Sequence, residues 1–175
     1  TDGPFIVDSH YGFSSEIGAG PYERRVPYAS VEPSPAPIVQ VTGGVNRLPA
    51  ALPAGSGTVV IDDSLTYTAI AALTGIVHVE LRARNLCRPL VRPTAATEWV
   101  FQGIAGSKLH LDGLFVSGAD IVLKGAFDQV TLSCCTLDPG RWSLDSDDWA
   151  EAADGKPLVA SRVRIEGTVR QLVIE

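Results

Sequence analysis

The chain has 175 residues, 45% of them apolar and only 19% charged, which suits one domain with a real core and argues against disorder. No uninterrupted apolar run reaches the roughly 18 residues of a membrane-spanning helix, so no membrane partner is expected. The 14 Lys+Arg against 20 Asp+Glu give a formal charge of -6, a field that repels phosphate backbones and speaks against nucleic acid. The first 57 residues hold eight of the 12 prolines, including the run from Glu32 to Pro37, and carry no sustained period. Proline removes ladder donors and favours extended backbone, so residues 1–57 read as a Pro/Gly-rich arm or cap. Within it, Pro37 to Val41 and Leu48 to Leu52 offer a strand and a capping contact. The Gly-rich stretch Phe13 to Tyr22 has no Lys-Ser/Thr and no flanking strand and helix, so no nucleotide or other cofactor is expected.

From residue 58 the text changes to short alternating segments separated by Gly, Asp, Asn and Ser, and these predict strands. They are Thr58 to Ile61, Val77 to Leu81, Leu109 to Leu111, Leu114 to Val116, Ile121 to Leu123, Val130 to Leu132, Val163 to Ile165 and Leu172 to Ile174. Asp62-Asp63 falls at a strand end and reads as a turn. One short helix is predicted, from Ser146 to Gly155, between a capping Ser or Asp and a terminating Gly.

Two of the segments repeat one phrase. Leu109-x-Leu111-x-x-Leu114-x-Val116 matches Val130-x-Leu132-x-x-Cys135-x-Leu137 at an offset of 21 residues. Strand starts at Val59, Val77, Leu109, Val130 and Val163 step by 18, 32, 21 and 33, a unit of about 20 with two insertions. A unit this small, with short strands and no helix, buries its apolar face only by stacking on a copy of itself. The fold predicted is therefore all-β: a right-handed parallel β-helix, or solenoid, of about five rungs over 58–175, with an insertion loop at 138–161. A Greek-key sandwich is the main rival, but nothing in it requires a repeated phrase. The segment from Arg170 to Glu175 stops inside strand-like text, so the reading expects a longer native chain or a second chain over that end. The lack of Met and the Thr1-Asp2 opening point to a trimmed or excised chain.

The stacking brings possible chemistry together. With Val77, Val79, Leu109 and Leu111 inward, His78, Glu80, His110 and Asp112 face outward on one sheet, His78 a rung from His110 and Glu80 a rung from Asp112. Two imidazoles and two carboxylates in that arrangement suit a divalent metal or acid and base work on a glycan, although outward sheet positions are ordinarily polar for solubility alone. Thr131 and Arg164 follow the His pair; Ser133 and Glu166 follow the carboxylates. In the insertion, Trp142 and Trp149 with Asp145 and Asp147 form a glycan-binding candidate, aromatic faces beside hydrogen-bonding acids. Asp145 to Asp148 lacks the Gly and Glu of a calcium loop, and no metal is assigned. Arg82, Arg84, Arg88 and Arg92 read as an ion-paired or solvated face. Cys135 takes an inward position as a small hydrophobe. Three cysteines, two of them adjacent and none in a CxxC pair, make no complete disulfide framework, and reducing conditions fit: a cytoplasmic assembly, or a particle exported from the cell.

The segment Asp128 to Gly140 resembles a phrase of right-handed β-helix proteins from bacterial phage-tail-like and contractile-injection gene sets, and Tyr11 to Tyr22 resembles their N-terminal phrase. Cys134 departs from the resemblance, standing where that phrase has His. The resemblance implies a structural or adhesive component, a homo-oligomer or a neighbour of other assembly subunits, with surface glycans as possible ligands. It brings no catalytic motif. The wider pectate-lyase-like superfold includes polysaccharide lyases and glycoside hydrolases, which leaves a carbohydrate-active enzyme open by analogy.

Overall fold

The structure, a computed structural model, describes residues 18–24, 33–140, 142–143, 148–149 and 159–175. Among the described residues it is mostly β, with one short helix. In chain order the elements are β1 (Ile38–Val41), α1 (Arg47–Ala51), β2 (Ser56–Ile61), β3 (Thr66–Tyr67), β4 (Leu73–Ala83), β5 (Leu90–Val91) and β6 (Glu98–Asp112). There follow β7 (Phe115–Val116), β8 (Asp120–Ser133), β9 (Thr136–Leu137), β10 (Trp142–Ser143), β11 (Asp148–Trp149), β12 (Val163–Ile165) and β13 (Thr168–Ile174). No helix among the described residues is long and apolar enough to cross a membrane.

From β2 to β9 the strands enter two parallel sheets by turns. The larger sheet runs β1-β2-β4-β6-β8, with β12 and β13 both on β8; the smaller runs β3-β5-β7-β9. Within each sheet a strand pairs with an earlier strand of the same sheet, and like side chains stack. Val39, Val59, Leu81, Leu111, Leu132 and Ile174 are successive register partners, and so are Val79, Leu109, Val130 and Leu172. Tyr67, Val91, Val116 and Leu137 make the matching column in the smaller sheet. Burial of the inner members of these columns, from β2 to β8, forms the core, each covered Leu or Val contributing about 1.5–3 kcal/mol.

The expected pairing of Leu109 with Val130 is present, and the 21-residue offset carries through to Val116 and Leu137. Other steps differ. Val59 pairs with Leu81 rather than Val77, and Val77 stands 51% exposed because the register slips around Ile76, which takes the inward place. Val163 pairs with Ile121, while the successor of Val130 is Leu172. β6 and β8 run to 15 and 14 residues, each joining two strand halves across a glycine: Gly103 pairs with Gly125, and inward parity changes so that Phe127 and Val130 are both buried. Gly125 has φ +76°, and a Cβ on it would overlap the Gly103 carbonyl; one on Gly167 would overlap that of Gly125. Only glycine lets the backbones approach so closely at this corner.

The segment Leu48 to Leu52 caps the N-terminal end. Leu48 of α1 is fully buried, with Ala51 and Leu52 packed beside it. β1 lies within the proline-rich first 57 residues and pairs in register with β2. The expected helix from Ser146 to Gly155 is replaced, at its described residues, by β11, which pairs antiparallel with β10. The remainder of that helix lies outside the described residues.

Candidate functional site

Alternation in β4, β6 and β8 sends a polar row to the outer side of the larger sheet. Thr58, Glu80, His110 and Thr131 are register partners across successive tiers, and Arg82, Asp112 and Ser133 form the row two residues on. Glu80 is buried. One of its oxygens accepts from Thr58 Oγ1 at 3.3 Å; the other lies 3.5 Å from Arg82 Nη1 and 3.8 Å from His110 Nδ1. The opposite ring nitrogen of His110 is 3.0 Å from Ser133 Oγ. A carboxylate, an imidazole and a hydroxyl from three consecutive tiers are thereby linked diagonally across the sheet.

Asp112 is held from the N-terminal segment. Arg24 Nε donates to both its oxygens at 3.1 and 3.2 Å, while the rest of the guanidinium bonds the Ala83 and Arg84 carbonyls. Residues 18–24 lie along the sheet corner: Ala19 N donates to Thr136 Oγ1 at 2.9 Å, and Leu86 N to the Tyr22 carbonyl at 3.0 Å. Burial raises the Asp112 carboxyl above its ordinary value despite the opposing pull of Arg24 and His110. Desolvation therefore outweighs the ion pair here, as expected when a carboxylate leaves water.

Of the four outward residues predicted to face one another, the structure brings together Glu80 and His110. His78 pairs with Lys108, and Asp112 with Arg82, because the register differs by two residues from the one inferred by aligning Val77 with Leu109. Thr131 and Ser133 do follow His110 and Asp112. Arg164 lies instead beside Val122 and bonds Glu98 at 2.6 Å and Glu166. Among the described residues no group of three or more His, Cys, Asp or Glu is placed to hold a metal. Trp142 and Trp149 are register partners in the β10-β11 pair; Asp145 and Asp147 lie outside the described residues.

Arg82 and Arg84 pair with Glu80 and Asp62, and Arg88 sits 6.0 Å from the Phe115 ring centre. Asp63 accepts from Gly43 N at 2.6 Å, Leu65 N at 3.1 Å and Tyr67 Oη at 3.0 Å, a turn clamp rather than an acid/base pair with Asp62. Cys135 packs on the core, and burial pushes its thiol up to about 12, so it stays protonated. All three cysteines are free.

Two features escaped sequence reasoning. The Arg24 contact depends on the path of the N-terminal segment, which no spacing encodes. The second is a buried polar column, Arg92 Nε to Ser117 Oγ at 3.2 Å and Ser117 Oγ to Asp138 at 2.7 Å, with Gly140 N on the other Asp138 oxygen. Its signal was available: Ser117 and Asp138 extend the repeated phrase by one position at the same offset. No family model matches this chain, and neither a curated protein nor a solved structure does.

Proposed function

We propose that the tiers wind as a right-handed parallel β-helix and that the module serves as a structural or adhesive part of a larger assembly. The parallel order of both sheets supports the coil, and parallel crossovers are right-handed in nearly all folds. The resemblance of Asp128 to Gly140 is the reason to look among phage-tail-like particles. The observation that carries the functional reading is the apolar surface that β12 and β13 present among the described residues. Ile165, Leu172 and Ile174 continue the core columns yet are 49%, 39% and 69% exposed. Core side chains at a strand edge make a surface on which another strand adds favourably. Adhesion through Trp142 and Trp149 fits the same reading, since glycan rings stack on aromatic faces.

Sedimentation velocity over a concentration series tests it. The wild-type chain of 18.5 kDa should associate reversibly, and the double variant Leu172→Lys/Ile174→Lys should remain a monomer with unchanged circular dichroism. A wild-type chain that stays monomeric at every concentration would count against self-association. Sugar turnover lost on changing His110 or Glu80 would favour the carbohydrate-active alternative.

A further inference from the structure

We propose that Ser133 is a nucleophile toward small carboxylic esters, with His110 as its base and Glu80 as a positioning residue. This goes beyond the assembly reading and fails separately from it. Ser133 Oγ and His110 Nε2 are 3.0 Å apart, the reach needed for proton transfer, and a Glu80 oxygen stands 3.8 Å from the other ring nitrogen, where it can orient the ring. The order nucleophile, base, carboxylate is set by three backbones in register, so the residues cannot drift apart without breaking the ladder. Ser133 also ends β8 at a sharp turn: Cys134 follows with φ 49°, a conformation uncommon for a residue with a side chain.

The chemistry closes on itself. Ser133 Oγ bonds to the ester carbonyl carbon as its proton passes to His110 Nε2; the carbon to alkoxide bond breaks and that proton leaves with the alcohol. Water, giving a proton to His110, then bonds to the acyl carbon; the bond from that carbon to Ser133 Oγ breaks, the acid leaves, and the proton passes from His110 to Ser133 Oγ. Access sets the substrate size. Ser133 is 1% exposed whereas the His110 side chain is 19% exposed, and Arg24 lies on Asp112 and Gly113, the two residues bonded or paired to Ser133. The segment 18–24 therefore acts as a cover over this corner, and only small acyl groups are expected to react while it is in place.

The test is acylation by p-nitrophenyl acetate, with the acetyl group located by mass spectrometry after acid quench. Wild type should carry acetyl on Ser133, and His110→Gln should slow that modification on the order of a hundredfold. Glu80→Gln should slow it less, with partial rescue by Glu80→Asp, which keeps the charge. Arg24→Ala should speed it, and each protein's thermal melt is compared with wild type. Absence of acetyl-Ser133 in both wild type and folded Arg24→Ala overturns the proposal, as does a rate indifferent to His110→Gln.

Discussion

The two ends of the larger sheet treat the same kind of side chain in opposite ways. At the N-terminal end, α1 lays Leu48 fully into the core and leaves Val41 only 5% exposed. At the far end Leu172 and Ile174 occupy the same columns as Val130 and Leu132 but present much of their surface outward. An inward position in a ladder thus buries a residue only when a further layer lies on it, which is the energetic rule of stacked repeats. The N-terminal cover is partial, since Val39 of β1, which continues a core column, is 37% exposed, and proline at positions 33, 35 and 37 removes donors just before that strand. The far edge, β13, has no proline.

The comparison can be broken most severely in the middle that both ends share. Gly125→Ala should cost about 1–3 kcal/mol for its left-handed backbone alone, and more for overlap with a main-chain oxygen that cannot swing aside. Thermal unfolding should show the largest loss of the set. Leu48→Ala at the covered end should lower stability by about 2–5 kcal/mol, as buried Leu truncations do, read from urea midpoints. Ile174→Ala at the open end should cost the isolated chain less than about 0.5 kcal/mol while weakening association; a loss equal to that of Leu48→Ala would erase the contrast. The smallest effect belongs to the exposed Arg170-Asp128 pair beside the open edge. The hydrogen bond from Arg170 holds the Asp128 carboxyl below its ordinary value, so its contribution is present above the unfolded carboxylate value and fades as pH falls through the folded one. Asp128→Asn should flatten that part of the acid melting profile, and added salt should mask the difference.

Sequence reading reached the stacked strands because Leu109, Leu111, Val130 and Leu132 alternate strictly and recur at one offset. It misplaced Val77 because alternation fixes which side a residue faces but not its partner, and the slip at Ile76 lies in a Thr-Gly-Ile stretch with no alternation to read. Aligning Val77 with Leu109 carries the same two-residue error and separates Glu80 from His110, which the structure pairs. It could not foresee that Arg24 reaches Asp112 across 88 positions, since that contact depends on where a proline-rich segment is laid down rather than on any period. Leu172-Val173-Ile174 reads as strand from its composition, and it lies in β13.

Amide hydrogen exchange in β13, followed as a function of protein concentration with β6 and β8 as internal references, tests the account most directly. Residues 98–112 and 120–133 should exchange slowest at every concentration, because strands lie on both sides of them. Residues 168–174 should exchange fast in dilute solution and become protected as the chain associates. Fast exchange of β13 that never responds to concentration, or protection of β13 equal to that of β8 in dilute solution, would contradict the proposed association through β13.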